Sequence, residues 1–505
     1  MTLTPEICEL LRLTRDARFD GRFFIGVTST GVYCRPICPV PPPLEKNVRY
    51  FPSAAAAAEA GFRPCLRCRP ESAPGTPAWN GTSSTVTRAL RLIAQGMLDQ
   101  AGVDRLAEAL GVSARHLRRL FDQHLGAAPL AVAQTRRLHF AKKLLDETDL
   151  PMTEVALSSG FGSIRRFNAA FQSSYGRSPR SLRRAAPPKR EPGADSVRLL
   201  LGYRPPFDWN ALIDFLAARA IPGVEHVDRA AYRRTITLDG KSGRLQVRPA
   251  RRNQLELRVE FPDSRPLIRI VERVRGLFDL GADPHQIDRH LALDPLLAPL
   301  VRARPGLRVP GAWDGFELAV RAILGQQITV SGATTLAGRL ARSFGERLAT
   351  TSRETAAILF PTPAALARAP IASIGIPEQR AKTVRRLAEL VAEGRLGFQN
   401  VLDPEAWMAA LAKLPGIGDW TAQYVAMRAL GEPDAFPASD LGLLRAVATG
   451  RSSINPNQLR QLAEPWRPWR AYAAMHLWAA GGGLTARKPR SISAATGTRE
   501  GMGKR

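Results

Sequence analysis

Two periods of hydrophobic residues run along the chain. In FELAVRAILGQQ (316–327) and RAKTVRRLAELVAEG (380–394) apolar positions return every three or four residues, which predicts helices with one face turned to a core. DWNALIDFLAARA (208–220) carries the same spacing. In TITLDG (235–240), GRLQVRP (243–249) and QLELRVEF (254–261) apolar and polar residues alternate around Gly-containing turns, which predicts strands. A third pattern occurs twice. VDRLAEALGVSARHLRRLF (103–121) reads as helix, glycine turn, helix, with Ser113 placed to cap the second helix. MTEVALSSGFGSIRRFNAAF (152–171) repeats it, and Ser113, Leu117 and Phe121 recur as Ser163, Phe167 and Phe171, each 50 residues on.

The patterns are interrupted by PESAPGTPAWNGTSS (70–84) and RSPRSLRRAAPPKREPGAD (177–195), both with linker composition, and by the almost non-apolar tail from Lys488. A chain of 505 residues is long enough for three or four domains of about 150 residues each. The expected fold class is multidomain and mainly α with α+β parts. A small cysteine-bearing domain spans 1–75, a tandem helix-turn-helix 85–185, a β-rich subdomain 196–265 and an all-α domain 266–487, with a disordered tail at 488–505.

Charge narrows the partners. Lys and Arg number 72 against 45 Asp and Glu, a formal net charge of +27 dominated by arginine. The guanidinium fork matches phosphate oxygens, so a polyanion is expected, and nucleic acid is the commonest one. No window offers the ~18 uninterrupted apolar residues of a membrane-spanning helix. The first residues, MTLTPEICELLRLTRDARF, do not read as a signal peptide. A cytoplasmic location is expected, which disfavours stable disulfides and turns attention to metal or catalysis.

Four of the five cysteines form the pattern Cys34-x3-Cys38, 26 residues, Cys65-x2-Cys68. Two close pairs joined by a loop suit one tetrahedral zinc ion per chain. Spacing alone leaves a purely structural site and a reactive one both open. The surrounding residues, TSTGVYCRPICP…NVRYF…AGFRPCLRCRPE, resemble the N-terminal domain of the Ada adaptive-response family. The resemblance implies a zinc site that takes methyl groups from DNA methyl phosphotriesters, with Cys34 as acceptor and Thr30 and Arg63 touching the phosphate backbone. Two basic contacts of that family are Pro39 and Pro41 here. Cys8 lies outside the pattern and reads as a buried small hydrophobe.

The two repeated units, followed by QSSYGRSPRSLRR, resemble the AraC-type activator domain. That implies DNA reading by the second helix of each unit, with Arg115, Arg118 and Arg119 in one and Arg165, Arg166 and Asn168 in the other, and RNA polymerase as a further partner. The bland alternative is a basic bundle that touches phosphates only.

LAKLPGIGDWTAQYVAMRAL (411–430) predicts two helices joined by a tight turn whose Gly416 and Gly418 let the backbone approach a DNA phosphate. Asp440, in FPASDLGLLRAV, sits at the start of another helix and could be no more than its N-cap. Together with PPFDWNALIDFLAARA, FELAVRAILGQQ and WRPWRAYAAMHLW, these segments resemble the 3-methyladenine DNA glycosylase II family across residues 196–480. The resemblance implies Asp440 as the catalytic carboxylate, Phe215, Trp420, Tyr424 and Trp478 as the base pocket, and Gln327 as the wedge entering the duplex. It also implies a monovalent cation at the hairpin carbonyls of Ala412, Leu414 and Ile417. A pocket aromatic of that family is Ala479 here. Trp420 occupies the position of a lyase lysine, so a monofunctional enzyme is expected. No cysteine follows Cys68, so the iron–sulfur cluster of some relatives is not expected, nor is a second methyl-acceptor site of the Pro-Cys-His-Arg kind.

The expectation is therefore a double-stranded-DNA-binding monomer that joins alkylation sensing, transcriptional activation and excision of alkylated bases. The alternative is a DNA-binding regulator whose C-terminal half is catalytically silent.

Overall fold

The computed structural model describes residues 3–74, 84–183, 196–348, 356–399, 401, 403–448 and 454–481. The tail from Lys488 and the centres of both linker-like breaks lie outside the described residues.

The N-terminal unit pairs a helix, Pro5–Thr14, with a small sheet of strands β1 (Phe24–Val27), β2 (Val32–Cys34), β3 (Val48–Phe51) and β4 (Arg63–Pro64), in the order β3-β1-β2-β4. β2 and β4 run parallel, with Val32 opposite Arg63 and Tyr33 opposite Pro64. That register sets Cys34 and Cys65 side by side, and the Cys65 N–H donates to the Tyr33 carbonyl at 2.9 Å. Strands of two to four residues are too short to show an alternating pattern, so this sheet is invisible to periodicity. Cys8 is 2% exposed among Leu11, Phe19, Phe23, Ile25 and Val27, and burial pushes its thiol up to about 11.

Both helix-turn-helix units form as read. In the first, Val103–Ala109 leads into Ala114–Leu125, and the Ser113 hydroxyl accepts the His116 N–H at 3.2 Å. In the second, Met152–Ser158 leads into Ile164–Tyr175, and Ser163 accepts the Arg166 N–H at 3.2 Å. Leu117, Phe121, Phe167 and Phe171 are each fully buried, which explains their recurrence. The second break begins later than its composition suggests, because Pro179–Leu182 is a helix that Ser178 caps and whose Leu182 joins the core.

A 19-residue helix, Pro129–Glu147, joins the two units. It also ties the three parts of the chain together. Its His139 ring nitrogen lies 2.8 Å from the Tyr33 hydroxyl of the N-terminal unit. At its C-terminal end Asp146 and Glu147 lie 3.1 and 3.3 Å from Arg69, the residue after Cys68. Glu147 accepts the Leu200 N–H at 2.9 Å and pairs with Lys143, whose ammonium donates to the Leu200 carbonyl.

Leu200 belongs to β5 (Ser196–Gly202), the edge of a second, fully antiparallel sheet with β6 (Glu225–Val227), β7 (Tyr232–Leu238), β8 (Lys241–Ala250) and β9 (Gln254–Glu260), in the order β5-β9-β8-β7-β6. β7, β8 and β9 coincide with the three alternating segments. The helix Trp209–Ala218, capped by Asp208 at 2.9 Å, leaves this sheet to join the helical domain that begins at Leu267. There, Pro404–Ala412 and Asp419–Val425 flank the glycine turn, Leu441–Val447 starts at Asp440, and Arg470–Ala480 lies behind it.

Candidate functional site

The parallel pairing of β2 with β4 gathers all four patterned cysteines, with their sulfurs within 4.8 Å of one another. Tetrahedral coordination at Zn–S distances of ~2.3 Å needs sulfurs of one such cluster, and a set of four thiols is a donor set that suits zinc. The residues present therefore fit the ion. A backbone donor supports the cluster: the Arg35 N–H points at the Cys68 sulfur at 3.3 Å. Arg35 is itself fixed, its guanidinium bonded to Asp20 at 2.9 Å and to the Cys68 carbonyl at 3.0 Å. Cys34, Cys65 and Cys68 are buried, and Cys38 is the most open of the four. Thr30 and Arg63 are both exposed beside the cluster, Thr30 in the turn before β2 and Arg63 on β4.

Arg115, Arg118 and Arg119 are all exposed on Ala114–Leu125, and Arg165, Arg166 and Asn168 on Ile164–Tyr175. Each set shares its helix with the buried residues that hold that helix down, so the basic face is turned outward.

In the C-terminal part a cavity of about 310 Å³ is lined by Phe215, Trp420, Tyr424, Asp440 and Trp478, which brings five sequence-predicted residues from four elements to one place. Asp440 does cap its helix, accepting the Leu443 N–H at 3.0 Å through Oδ1. It does more: Oδ1 also accepts the Trp478 indole N–H at 2.9 Å, and Oδ2 accepts the Trp420 indole N–H at 2.9 Å. Three donors fix the carboxylate, and charge-assisted bonds of this kind hold its orientation firmly. Trp420 stacks on Tyr424 with centroids 5.1 Å apart and planes 8° off parallel, while Tyr424 meets Trp478 edge-on at 6.4 Å.

Phe215 behaves differently from the other three aromatics. It is 1% exposed, and the Arg219 guanidinium lies over its ring at 3.7 Å from the centroid. Arg428 stands 4.9 Å from the same ring and 5.4 Å from that of Tyr424. Phe215 is thus a floor already occupied by cations, and the open stacking surface is left to the tryptophans and Tyr424.

Gln327 is exposed in the turn between Gly315–Leu324 and Val330–Phe344, with φ of 60°. A non-glycine residue in the left-handed region is held there by its surroundings. The holder is Gln326, whose amide donates to the Gly416 carbonyl at 2.8 Å and to Thr421 at 3.1 Å, while Arg380 donates to the Gln326 carbonyl at 2.9 Å. The turn bearing Gln327 and the glycine hairpin are therefore one assembly. Gly416 has φ of +87°, and a Cβ there would meet Thr383 Oγ1 at 2.3 Å; Gly418 faces open space. Sequence reasoning missed Gln326, Arg380, Arg219 and Arg428. For Gln326, Arg219 and Arg428 the signal was a position beside or one helical turn from residues already singled out; Arg380, on Glu378–Ala392, carried none.

Comparison with known proteins agrees with this geometry. The metal-binding domain of Ada matches residues 8–71, a helix-turn-helix domain 106–185, the AlkA N-terminal domain 198–314, and the HhH-GPD superfamily of base excision DNA repair proteins 320–468. A Mycobacterium tuberculosis protein described as a probable bifunctional transcriptional activator/DNA repair enzyme AlkA is 42% identical over 476 residues, 94% of this chain and 96% of its own length. The Escherichia coli DNA-3-methyladenine glycosylase 2 is 36% identical over 282 residues, 55% of this chain and 95% of its own. The 3-methyladenine DNA glycosylase of Archaeoglobus fulgidus shares the fold over 57% of this chain and 99% of its own, with a TM-score of 0.50 and 23% identity. The fold and sites define a helix-hairpin-helix base-excision repair protein that also carries zinc-binding and helix-turn-helix domains. The chain belongs to the AlkA-type family of bifunctional transcriptional activators and DNA repair enzymes. Its partner is DNA. Among the described residues no helix is long and apolar enough to cross a membrane.

Proposed function

We infer that the 310 Å³ cavity takes an alkylated base such as 3-methyladenine turned out of duplex DNA and that Asp440 carries the hydrolysis of its glycosidic bond. The observation that supports this most directly is the Asp440 carboxylate, fixed at the cavity by the indole N–H groups of Trp420 and Trp478. An N-alkylated purine is already a good leaving group, so one carboxylate is enough to stabilise the oxocarbenium-like sugar and orient water, in place of the two that ordinary glycosidases need. Trp420, Tyr424 and Trp478 supply stacking surface for the base. Among the described residues no lysine lines the cavity, and Trp420 stands where a lyase lysine would, which supports a monofunctional reaction. Gln327, presented on its strained turn, fills the gap the base leaves, and the turn at Gly416 and Gly418 grips the backbone, with a monovalent cation at the carbonyls of Ala412, Leu414 and Ile417.

At the other end, Cys34 accepts a methyl group from a DNA methyl phosphotriester. Bound zinc supplies thiolate character at neutral pH. Thr30 and Arg63 hold the phosphate against the cluster, while Arg35 fixes Cys68. Arg115, Arg118, Arg119, Arg165, Arg166 and Asn168 read promoter DNA. RNA polymerase is the protein partner, and the chain acts as a cytoplasmic monomer.

Release of 3-methyladenine from methylated duplex by wild type and by Asp440→Asn tests the excision half. Wild-type release that collapses in the variant is expected, and equal release by both would remove Asp440 from its role. Mass spectrometry after exposure to methylated DNA tests the other half. A Cys34 peptide heavier by one methylene, about 14 Da, is expected, and a methyl on Cys38, the most open sulfur, would reassign the acceptor.

A further inference from the structure

The cavity is electrically lopsided. Among the described residues, four charged ones line it: Arg219, Arg321, Arg428 and Asp440. Arg321 is balanced by carboxylates, lying 3.0 Å from Glu225 and 3.2 Å from Glu317. Arg428 is held by neutral oxygens. It donates to the carbonyls of Pro310 at 2.8 Å and Gly311 at 3.0 Å, and to the Tyr424 hydroxyl oxygen at 2.7 Å, and it is 4% exposed. Its bonds fix the guanidinium without cancelling its charge. Arg219 adds a second cation on the same side, spread over Phe215 at 3.7 Å and bonded to the Phe215 carbonyl at 3.2 Å. Burial pushes the Tyr424 phenol up, but the charges of Arg428 and Arg219 outweigh it and leave the phenol below its ordinary value, as expected where a positive potential dominates.

We propose that Arg428 and Arg219 are the leaving-group side of the active site, setting a field that runs from the positive floor of the cavity to the negative carboxylate of Asp440 and drives charge from base to sugar as the bond breaks. This rests on the Asp440 reading above.

The chemistry follows from charge balance. The bond from C1′ to the base nitrogen breaks with its electron pair kept by the base. The sugar gains one unit of positive charge and the base loses one. A cationic alkylated base goes from +1 to neutral, and a neutral base goes from neutral to −1. Water then bonds C1′ and gives up a proton, to solvent in the first case and to the departed base in the second. In both, the change at the base end is one unit more negative and at the sugar end one unit more positive. Fixed guanidiniums at one end and a fixed carboxylate at the other stabilise that change whatever the initial charge of the lesion, and they need not reorganise to do so. For a cationic base the same arginines disfavour the bound ground state. They therefore raise the rate without strengthening binding.

The experiment uses the full chain with duplexes holding one 7-methylguanine (cationic) or one hypoxanthine (neutral), and measures the single-turnover excision rate and the Kd separately. Arg219→Gln is expected to slow excision of both lesions at least ~10-fold, a modest loss on the scale of deleting one preorganised charge partner. Its Kd for the 7-methylguanine duplex should stay level or tighten, and Arg219→Lys should recover most of the rate. Arg428→Met should show the same split, but its bonds to Pro310 and Gly311 make it the more disruptive variant, so Arg219 decides. A rate equal to wild type, a rate lost equally in Arg219→Lys, or rate and affinity falling together would overturn the proposal. Wild type that releases neither base, or Asp440→Asn as fast as wild type, would instead overturn the reading on which it rests.

Discussion

At the scale of single residues, the site depends on pairs that no spacing announces. Asp440 and its two indole donors are 20 and 38 residues apart in sequence. Motif resemblance therefore marked Asp440 as the carboxylate and the tryptophans as pocket residues without revealing the bonds between them. Trp478→Phe keeps a ring in the cavity but removes the donor to Oδ1. It should slow excision by roughly 10-fold, about the worth of one charged hydrogen bond, with little change in DNA affinity measured by titration. The arginines beside Phe215 were hidden for a different reason. In a chain with a net charge of +27, one more arginine reads as a phosphate contact. On the helix bearing Trp478, His476 matters for stability: it is 1% exposed and held down to about 4 by burial. Unfolded, it titrates near its ordinary value of ~6.5, so between those limits the unfolded chain binds the extra proton and stability drops as pH is lowered, by on the order of 3 kcal/mol in all. Thermal melts from pH 7 to 4 should therefore fall less steeply for His476→Leu than for wild type. The comparison isolates this group because the other buried groups are common to both proteins: His139, also held down to about 4 by burial, works in the same direction, while Asp279 and Asp288, raised to about 6 by burial, work in the opposite one.

At the scale of elements, the helices and the β-rich stretch were legible because each keeps one period long enough to count. The strands of the N-terminal sheet were not, and their role is to bring distant cysteines together through the pairing of β2 with β4. The glycine hairpin shows how an element can be found correctly while the tasks of its residues remain mixed. Gly416 is required by backbone and packing together, with φ of +87° and Thr383 Oγ1 at 2.3 Å from where a side-chain carbon would stand. Gly418 has open space and an ordinary φ of −99°. Gly416→Ala should lower stability by ~1–3 kcal/mol in denaturant melts, through strain at a positive φ and displacement of Thr383. Gly418→Ala should leave the melt unchanged and weaken binding to undamaged duplex. Since Gly416 also receives the Gln326 amide on its carbonyl, disturbing it should loosen the turn that presents Gln327.

At the scale of the whole molecule, composition separated the chain into parts, but nothing in it foretold that the parts are docked. The contacts responsible are far apart in sequence: one apolar core runs from Leu138, Leu144 and Phe171 to Leu199 and Val271, and around it Arg69 pairs with Asp146 and Glu147, Glu147 bonds Leu200, Arg22 lies 3.1 Å from Asp283 and Arg136 3.3 Å from Glu272. Phe19 and His285 add an edge-on ring contact at 5.2 Å. Glu147 is the shared member, so Glu147→Ala removes a partner from Arg69, Lys143 and the Leu200 N–H at once. Breaking one partner of a buried ionic cluster costs about 3–5 kcal/mol. Calorimetry of the full chain should then resolve separate transitions for the N-terminal half and the glycosylase, where wild type gives one. Unchanged cooperativity would show that other contacts hold the halves together.

That docking changes how DNA is met. Between modules on a free tether, effective concentration is set by linker length and stiffness. Here the helix Pro129–Glu147 sets it by packing, so the helix-turn-helix units and the cavity at Asp440 keep a defined distance and angle. Damage at one spacing and face of the double helix from a bound promoter is presented directly to the cavity, whereas damage about 5 base pairs further on lies half a turn away and faces outward. Repair near a bound promoter should therefore rise and fall with the pitch of DNA.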